Sequence, residues 1–221
     1  MELKTELGEH LWRYFSDIMY IFKKNIHSLF IIASIFSLIT VLFSNNEAIS
    51  IMLQIIFVIL FPIIVTCISH DTLNNEKKIW IEYLEDVFLN RSFCILMFFF
   101  ITFIVAFLEV INMPLANIIK YFLWPIIPFL AISNQDFFEA IKSSCLITSK
   151  DIILSVIKYI LIYSITFLIL QVFLFVVDLI ANNFIGSIVW NIRQFILLTS
   201  SLTASSFIYI GAVVFYKDKG W

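Results

Sequence analysis

Six long apolar stretches follow one another at short intervals along this 221-residue chain, at 26–44, 48–69, 92–111, 115–132, 152–181 and 187–216. A helix needs about 20 mostly apolar residues to cross roughly 30 Å of hydrocarbon. Helices and closed barrels are the structures that leave no backbone polar group facing lipid. Composition points the same way, with 62% hydrophobic and 14% charged residues, against roughly half and a quarter in a soluble domain. With 14 basic and 16 acidic residues there is no basic surplus to attract nucleic acid. The expectation is an all-α, polytopic integral membrane protein, a single integral membrane domain over 1–221, whose six transmembrane helices form three hairpins.

The hairpins would close at Asn45-Asn46-Glu47, at Asn112-Met113-Pro114 and at Asn182 to Gly186. The fifth and sixth stretches, at about 30 residues, exceed a perpendicular span and should tilt. The fourth is short, carries Lys120 and is interrupted by Pro125 and Pro128, so a full span and a re-entrant segment both fit it.

Short cytoplasmic connections retain Lys and Arg, and here the basic residues alternate. Lys4, Arg13, Lys23 and Lys24 precede the first span. Lys77, Lys78 and Arg91 follow the second, Lys142, Lys150 and Lys158 surround the start of the fifth, and Lys217 and Lys219 end the chain. Only Lys120 and Arg193 of the 14 fall elsewhere. Both termini are therefore expected in the cytoplasm, after an even number of crossings. Glu2, Glu6 and Glu9, with no small-x-small site after the first apolar run, read as a retained signal anchor. Cys67, Cys94 and Cys145 fall near the cytoplasmic side, where thiols stay reduced. Cys67 and His70 supply at most two metal ligands, so no metal or other cofactor is expected.

Ahead of each hairpin lies a segment that is apolar at helical spacing yet too charged to span, the profile of a surface helix. The segments are about 7–24, 76–91 and 135–149, with apolar faces formed by Leu11, Phe15, Ile18 and Phe22, by Trp80, Tyr83, Val87 and Phe88, and by Phe137, Phe138, Ile141 and Cys145. Tyr14-Phe15-Ser16-Asp17-Ile18 resembles Tyr83-Leu84-Glu85-Asp86-Val87, and Leu60-Phe61-Pro62-Ile63-Ile64 matches Leu123-Trp124-Pro125-Ile126-Ile127, so a surface helix followed by a hairpin occurs three times. Pro62, Pro125 and Pro128 should kink their helices and free carbonyls one turn back. Interrupted helices at repeat interfaces also build ligand sites in carriers.

An ionisable side chain at bilayer depth costs on the order of 3 kcal/mol unless paired or hydrated. Glu109 and Lys120 flank the second hairpin turn, and Asp178 and Arg193 the third, so each hairpin carries an acid on its ascending arm and a base on its descending arm. Three readings fit: hairpin-closing ion pairs, a shared polar vestibule for a lipid headgroup or a proton, and snorkelling to water. In the last span Ser201, Ser205 and neighbouring hydroxyls suit close helix packing, with Gln171 as a partner across the hairpin or as part of a self-association surface. No phosphate loop, nucleophile elbow or His-Glu-x-x-His occurs, and no enzyme is expected.

The text Glu139-Ala140-Ile141-Lys142-Ser143-Ser144-Cys145-Leu146-Ile147-Thr148-Ser149-Lys150-Asp151 resembles a motif of bacterial six-helix inner-membrane families. These are the YciC-like proteins and the membrane domain attached to some glycerophosphoryl diester phosphodiesterases. Their pattern runs roughly E-A-L-K-R-S-W-R-L-T-K-G-N ahead of a long span. Glu139, Ala140, Lys142, Ser144 and Thr148 match in register and Ile141 and Ile147 replace Leu, while Ser143, Cys145, Leu146, Ser149, Lys150 and Asp151 depart. The resemblance implies six helices, a bacterial inner-membrane location and no catalytic module in this chain. Ala140 and Ser144, one turn apart, suit close seating against a neighbour, and Lys142 suits lipid phosphate or water.

The expected role is non-enzymatic, a membrane-organising or partner-binding protein whose partners are membrane lipids, another membrane protein or a second copy of itself. One alternative is a small carrier or lipid-handling protein using Glu109, Lys120, Asp178 and Arg193. Another is an immunity protein against a membrane-active toxin.

Overall fold

The computed structural model describes residues 2–76, 78–133, 135–181 and 187–220. Among them the chain is helical almost throughout, in the order α1 (Glu2–Leu42), α2 (Glu47–Leu73), α3 (Trp80–Asn90), α4 (Ser92–Ile111), α5 (Met113–Leu123), α6 (Ile126–Ala131), α7 (Phe137–Lys150), α8 (Ile152–Ala181) and α9 (Ser187–Asp218). Caps set the boundaries where the sequence changes character. Asn46 accepts a hydrogen bond from Ile49 N, Asn112 from Leu115 N, and Asp136 from Glu139 N, starting α2, α5 and α7. Pro114 follows directly at the start of α5, where its missing N–H costs nothing.

Five helices, α1, α2, α4, α8 and α9, are long and apolar enough to cross a membrane. Their outward faces require one. On α4 only Cys94 and Ile101 are buried, while Phe99, Phe100, Phe103 and Phe107 are exposed, as are Phe167, Leu168 and Phe175 on α8. Aromatic area of that extent is stable against lipid and not against water. The core lies between α1, α2, α6 and α9, where Phe36 stacks on Phe57 and Phe22 on Phe207, each at 4.2 Å between ring centroids.

Two sequence expectations are revised. The first surface helix, 7–24, does not end before the first span. One helix runs unbroken for 41 residues, about 62 Å at 1.5 Å per residue. Lys23-Lys24-Asn25 is polar but contains no helix breaker, and Asn25 donates to Ile21 O and to Thr72 Oγ1 on α2, tying the two helices together. Tyr14, Ile18 and Ile21 of the amphipathic part are buried in the core. The other two amphipathic segments do form separate helices, α3 and α7.

The fourth stretch is the second revision. It is broken into α5 and α6 around Trp124-Pro125, and neither piece is long enough to span. The chain nonetheless travels from one end of the bundle toward the other. Lys120 meets Glu109 near one end, Trp124 packs on Phe215 at 5.1 Å, and Ser133 Oγ lies 2.5 Å from the Tyr216 hydroxyl beside the C-terminus. Every residue of α6 is buried. Protein surrounds the break, a setting in which a membrane protein tolerates irregular backbone.

The freed backbone is satisfied from α7. Pro125 has no amide to offer Tyr121, and the break leaves the Phe122 carbonyl without its helical donor. Ser144 Oγ donates to Phe122 O at 2.6 Å. Ala140, Ser144 and Thr148, spaced by four, form the fully buried stripe on which α7 seats, while Phe138 of the expected apolar face is exposed.

Candidate functional site: a charged cavity between the chain ends

Four helix ends converge at the pole of the bundle that carries both described chain ends, and a cavity of about 690 Å³ opens between them. The helix α1 brings His10, Arg13 and Asp17, the last two one turn apart. At the junction of α7 and α8 stand Lys150 and Asp151, and Lys158 follows two turns into α8. The end of α9 supplies Lys217 and Asp218, and Lys219 follows directly after it. Leu73, Leu154 and Val214 complete the walls with apolar surface.

Lys158 anchors the floor. It is 3% exposed, its Nζ lies 2.7 Å from Asp218 Oδ2, and its ammonium sits 4.5 Å from the centre of the Tyr14 ring. A buried lysine is tolerable on these terms, with a counter-ion and an aromatic face in place of water. Tyr14 in turn donates its hydroxyl to Gly211 O at 3.0 Å. A Cβ at Gly211 would stand 2.8 Å from that hydroxyl and 3.1 Å from Ile162 Cγ1, so the missing side chain is what lets α1, α8 and α9 close at this level.

Around the rim, Lys219 donates to Asp151. That ammonium, by hydrogen bond and charge, holds the Asp151 carboxyl below the usual carboxylate range. Lys217 Nζ donates to Asn74 Oδ1 at 2.5 Å. Arg13 and Lys150 are exposed at the rim and take part in no hydrogen bond or ion pair among the described residues. The arrangement can hold an anion against fixed cations beside apolar surface; it brings together no nucleophile and base in hydrogen-bonding reach.

The residues singled out from sequence fall in several places. Glu109 and Lys120 do meet, Lys120 donating to Glu109 Oε1, and they border a separate cavity of about 270 Å³ with Thr102, Trp124, Tyr163 and Tyr209. The Asp178 side chain lies outside the described residues, as does Lys77; Arg193 is half-buried on α9. Gln171 and Ser201 are exposed, and Ser205 donates to Leu202 O of its own helix. The hydroxyl residues buried on α9 are instead Thr199, Ser200 and Ser206. Pro62 lies inside a continuous α2, Pro125 at the break and Pro128 within α6. In α7, Glu139 and Lys142 are exposed, away from the buried stripe.

Sequence reasoning placed Lys158 among the cytoplasmic charges without seeing it as the buried base of a site. The available signal was a lone lysine inside an apolar run, which demands a partner; the partner, Asp218, is 60 residues away. No protein-family model matches the chain, and no curated protein or solved structure matches it either.

Proposed function

We propose that this is a non-enzymatic integral protein of the bacterial inner membrane, of the YciC-like kind, that engages the headgroups of anionic lipids through the cavity between its chain ends. The cavity carries the proposal. Its cations come from α1, α7, α8 and the end of α9 and cluster where α8 and α9 enter or leave their apolar spans, the depth of lipid phosphates. In this reading α5 and α6 together make the fourth of six crossings, their break shielded by α7, and both termini are cytoplasmic. The stripe of Ala140, Ser144 and Thr148 supports the family reading, because those motif residues have a definite job in closing the break.

The test is lipid retention. The full chain, purified from native membrane in mild detergent, is expected to carry anionic phospholipid in native mass spectra. The variant Arg13→Gln/Lys150→Gln/Lys217→Gln should lose at least half of it. Equal retention by the variant, or a preparation carrying only zwitterionic lipid, would remove the basis for the reading.

A second reading, the small carrier, is favoured by the Glu109–Lys120 couple lining its own cavity. Substrate uptake unchanged in Glu109→Gln/Lys120→Gln would end it.

A further inference from the structure

We infer that the cavity is built for a doubly charged phosphate, a phosphomonoester, in preference to the singly charged phosphodiester of most anionic lipids. The inference rests on the headgroup-binding reading above and goes further by naming the charge of the ligand.

Five cationic side chains line the cavity, Arg13, Lys150, Lys158, Lys217 and Lys219, against three carboxylates, Asp17, Asp151 and Asp218. Two of the lysines are committed, Lys158 to Asp218 and Lys219 to Asp151. That leaves Arg13, Lys150 and Lys217 facing Asp17, a surplus of two positive charges. Uncompensated like charges around one concavity repel each other, and a ligand that matches the surplus relieves the repulsion fully. A phosphodiester brings one negative charge and leaves one cation over. A phosphomonoester brings about −1.5 to −2 near neutral pH.

Geometry agrees with charge. Arg13 offers a planar fork suited to two phosphate oxygens, and Lys150 and Lys217 act as point charges from two other helices. Leu73, Leu154 and Val214 give a glycerol backbone or the first methylenes of an acyl chain an apolar wall. A cavity of about 690 Å³ lies within the usual range for a bound small molecule, roughly 300 to 1,000 Å³. The shared chemistry is a phosphomonoester on a three-carbon alcohol, whether it arrives as a lipid with a bare phosphate headgroup or as soluble glycerol phosphate.

The experiment is calorimetric titration of the full chain in detergent at pH 8, where the phosphomonoester is a dianion. Four ligands are compared: short-chain phosphatidic acid, short-chain phosphatidylglycerol, glycerol 3-phosphate and inorganic phosphate. Phosphatidic acid should bind at least tenfold tighter than phosphatidylglycerol. Arg13→Gln and Lys150→Gln, both at exposed positions, should each shrink that ratio severalfold, and Arg13→Lys should restore part of it. Glycerol 3-phosphate binding as tightly as phosphatidic acid supports the phosphomonoester site and assigns it a soluble ligand; much weaker binding supports a lipid one. Equal affinity for the two lipids overturns the charge preference while leaving headgroup binding intact. Binding of none of the four overturns both.

Discussion

The couple at the base of the cavity makes an asymmetric prediction, because its two members are not equally buried. Lys158 is 3% exposed and Asp218 32%. Replacing Lys158 by Met keeps the apolar stem, removes a charge-assisted hydrogen bond and the contact with the Tyr14 ring, and leaves a carboxylate that water can reach. Relief of the ammonium's desolvation offsets part of the loss, so the net cost should be about 1 to 2 kcal/mol. Replacing Asp218 by Asn instead strands an ammonium that water cannot reach, a change that costs about 3 to 5 kcal/mol in comparable sites. Removing a negative charge from the end of α9 returns roughly 0.5 kcal/mol of helix-dipole energy, and Asp17 lies near enough to share the charge. The expected cost of Asp218→Asn is therefore about 3 kcal/mol. The double variant should sit within about 1 kcal/mol of Lys158→Met, since the stranded charge is gone. Unfolding of the three variants in mixed micelles, followed by tryptophan fluorescence and circular dichroism together, measures the order. Lys158→Met costing as much as Asp218→Asn, or a double variant equal to the sum of the singles, would refute the reasoning.

Three further outcomes follow from the packing. Gly211→Ala should destabilise by about 1 to 3 kcal/mol by overpacking; in a Tyr14→Phe background, which lacks the hydroxyl at 2.8 Å, the same unfolding assay should read a smaller cost. Ser144→Ala leaves the Phe122 carbonyl without its 2.6 Å donor in a water-poor site and should cost about 1 to 3 kcal/mol, whereas Ser143→Ala, one residue away and outside the buried stripe, should be near neutral. At the foot of α4, partial burial pushes the Asp86 carboxyl up, but hydrogen bonds from Asn90 and Arg91 and the Arg91 charge hold it below its usual range. A lowered carboxylate stabilises the fold in full above its unfolded pKa of about 3.9. The stability difference between wild type and Asp86→Asn should thus be flat above about pH 5 and vanish as the pH falls through the lowered value.

Continuous spans were legible because lipid imposes one rule on every residue of α2, α4, α8 and α9, a long apolar run without interruption. The fourth stretch obeyed a different rule. Wrapped by α2, α4, α7 and α9, α6 meets protein on all sides, so Pro125 and Pro128 are admissible and no run of 20 apolar residues is needed. In α1 a polar trio was read as a boundary, yet polarity does not end a helix; a cap or a breaker does. Glu109 and Lys120 were found because a tight hairpin turn puts residues equally far from it at equal depth. The charged cavity was hidden for the opposite reason. Arg13, Lys150, Lys158 and Asp218 belong to four helices, α1, α7, α8 and α9, and nothing local marks them as neighbours. Gly211, one of four glycines, had no turn or motif beside it to say that a tyrosine from the other end of the chain would press against it.

The proposed function stands on one arrangement above all, that the broken α5–α6 segment returns the chain and so puts both termini and the cavity between them on the cytoplasmic side. A fluorescent protein that matures only in the cytoplasm, fused in turn before Met1 and after Trp221, tests it directly. The account predicts fluorescence from both fusions. Fluorescence from one and not the other would mean an odd number of crossings, and would contradict it.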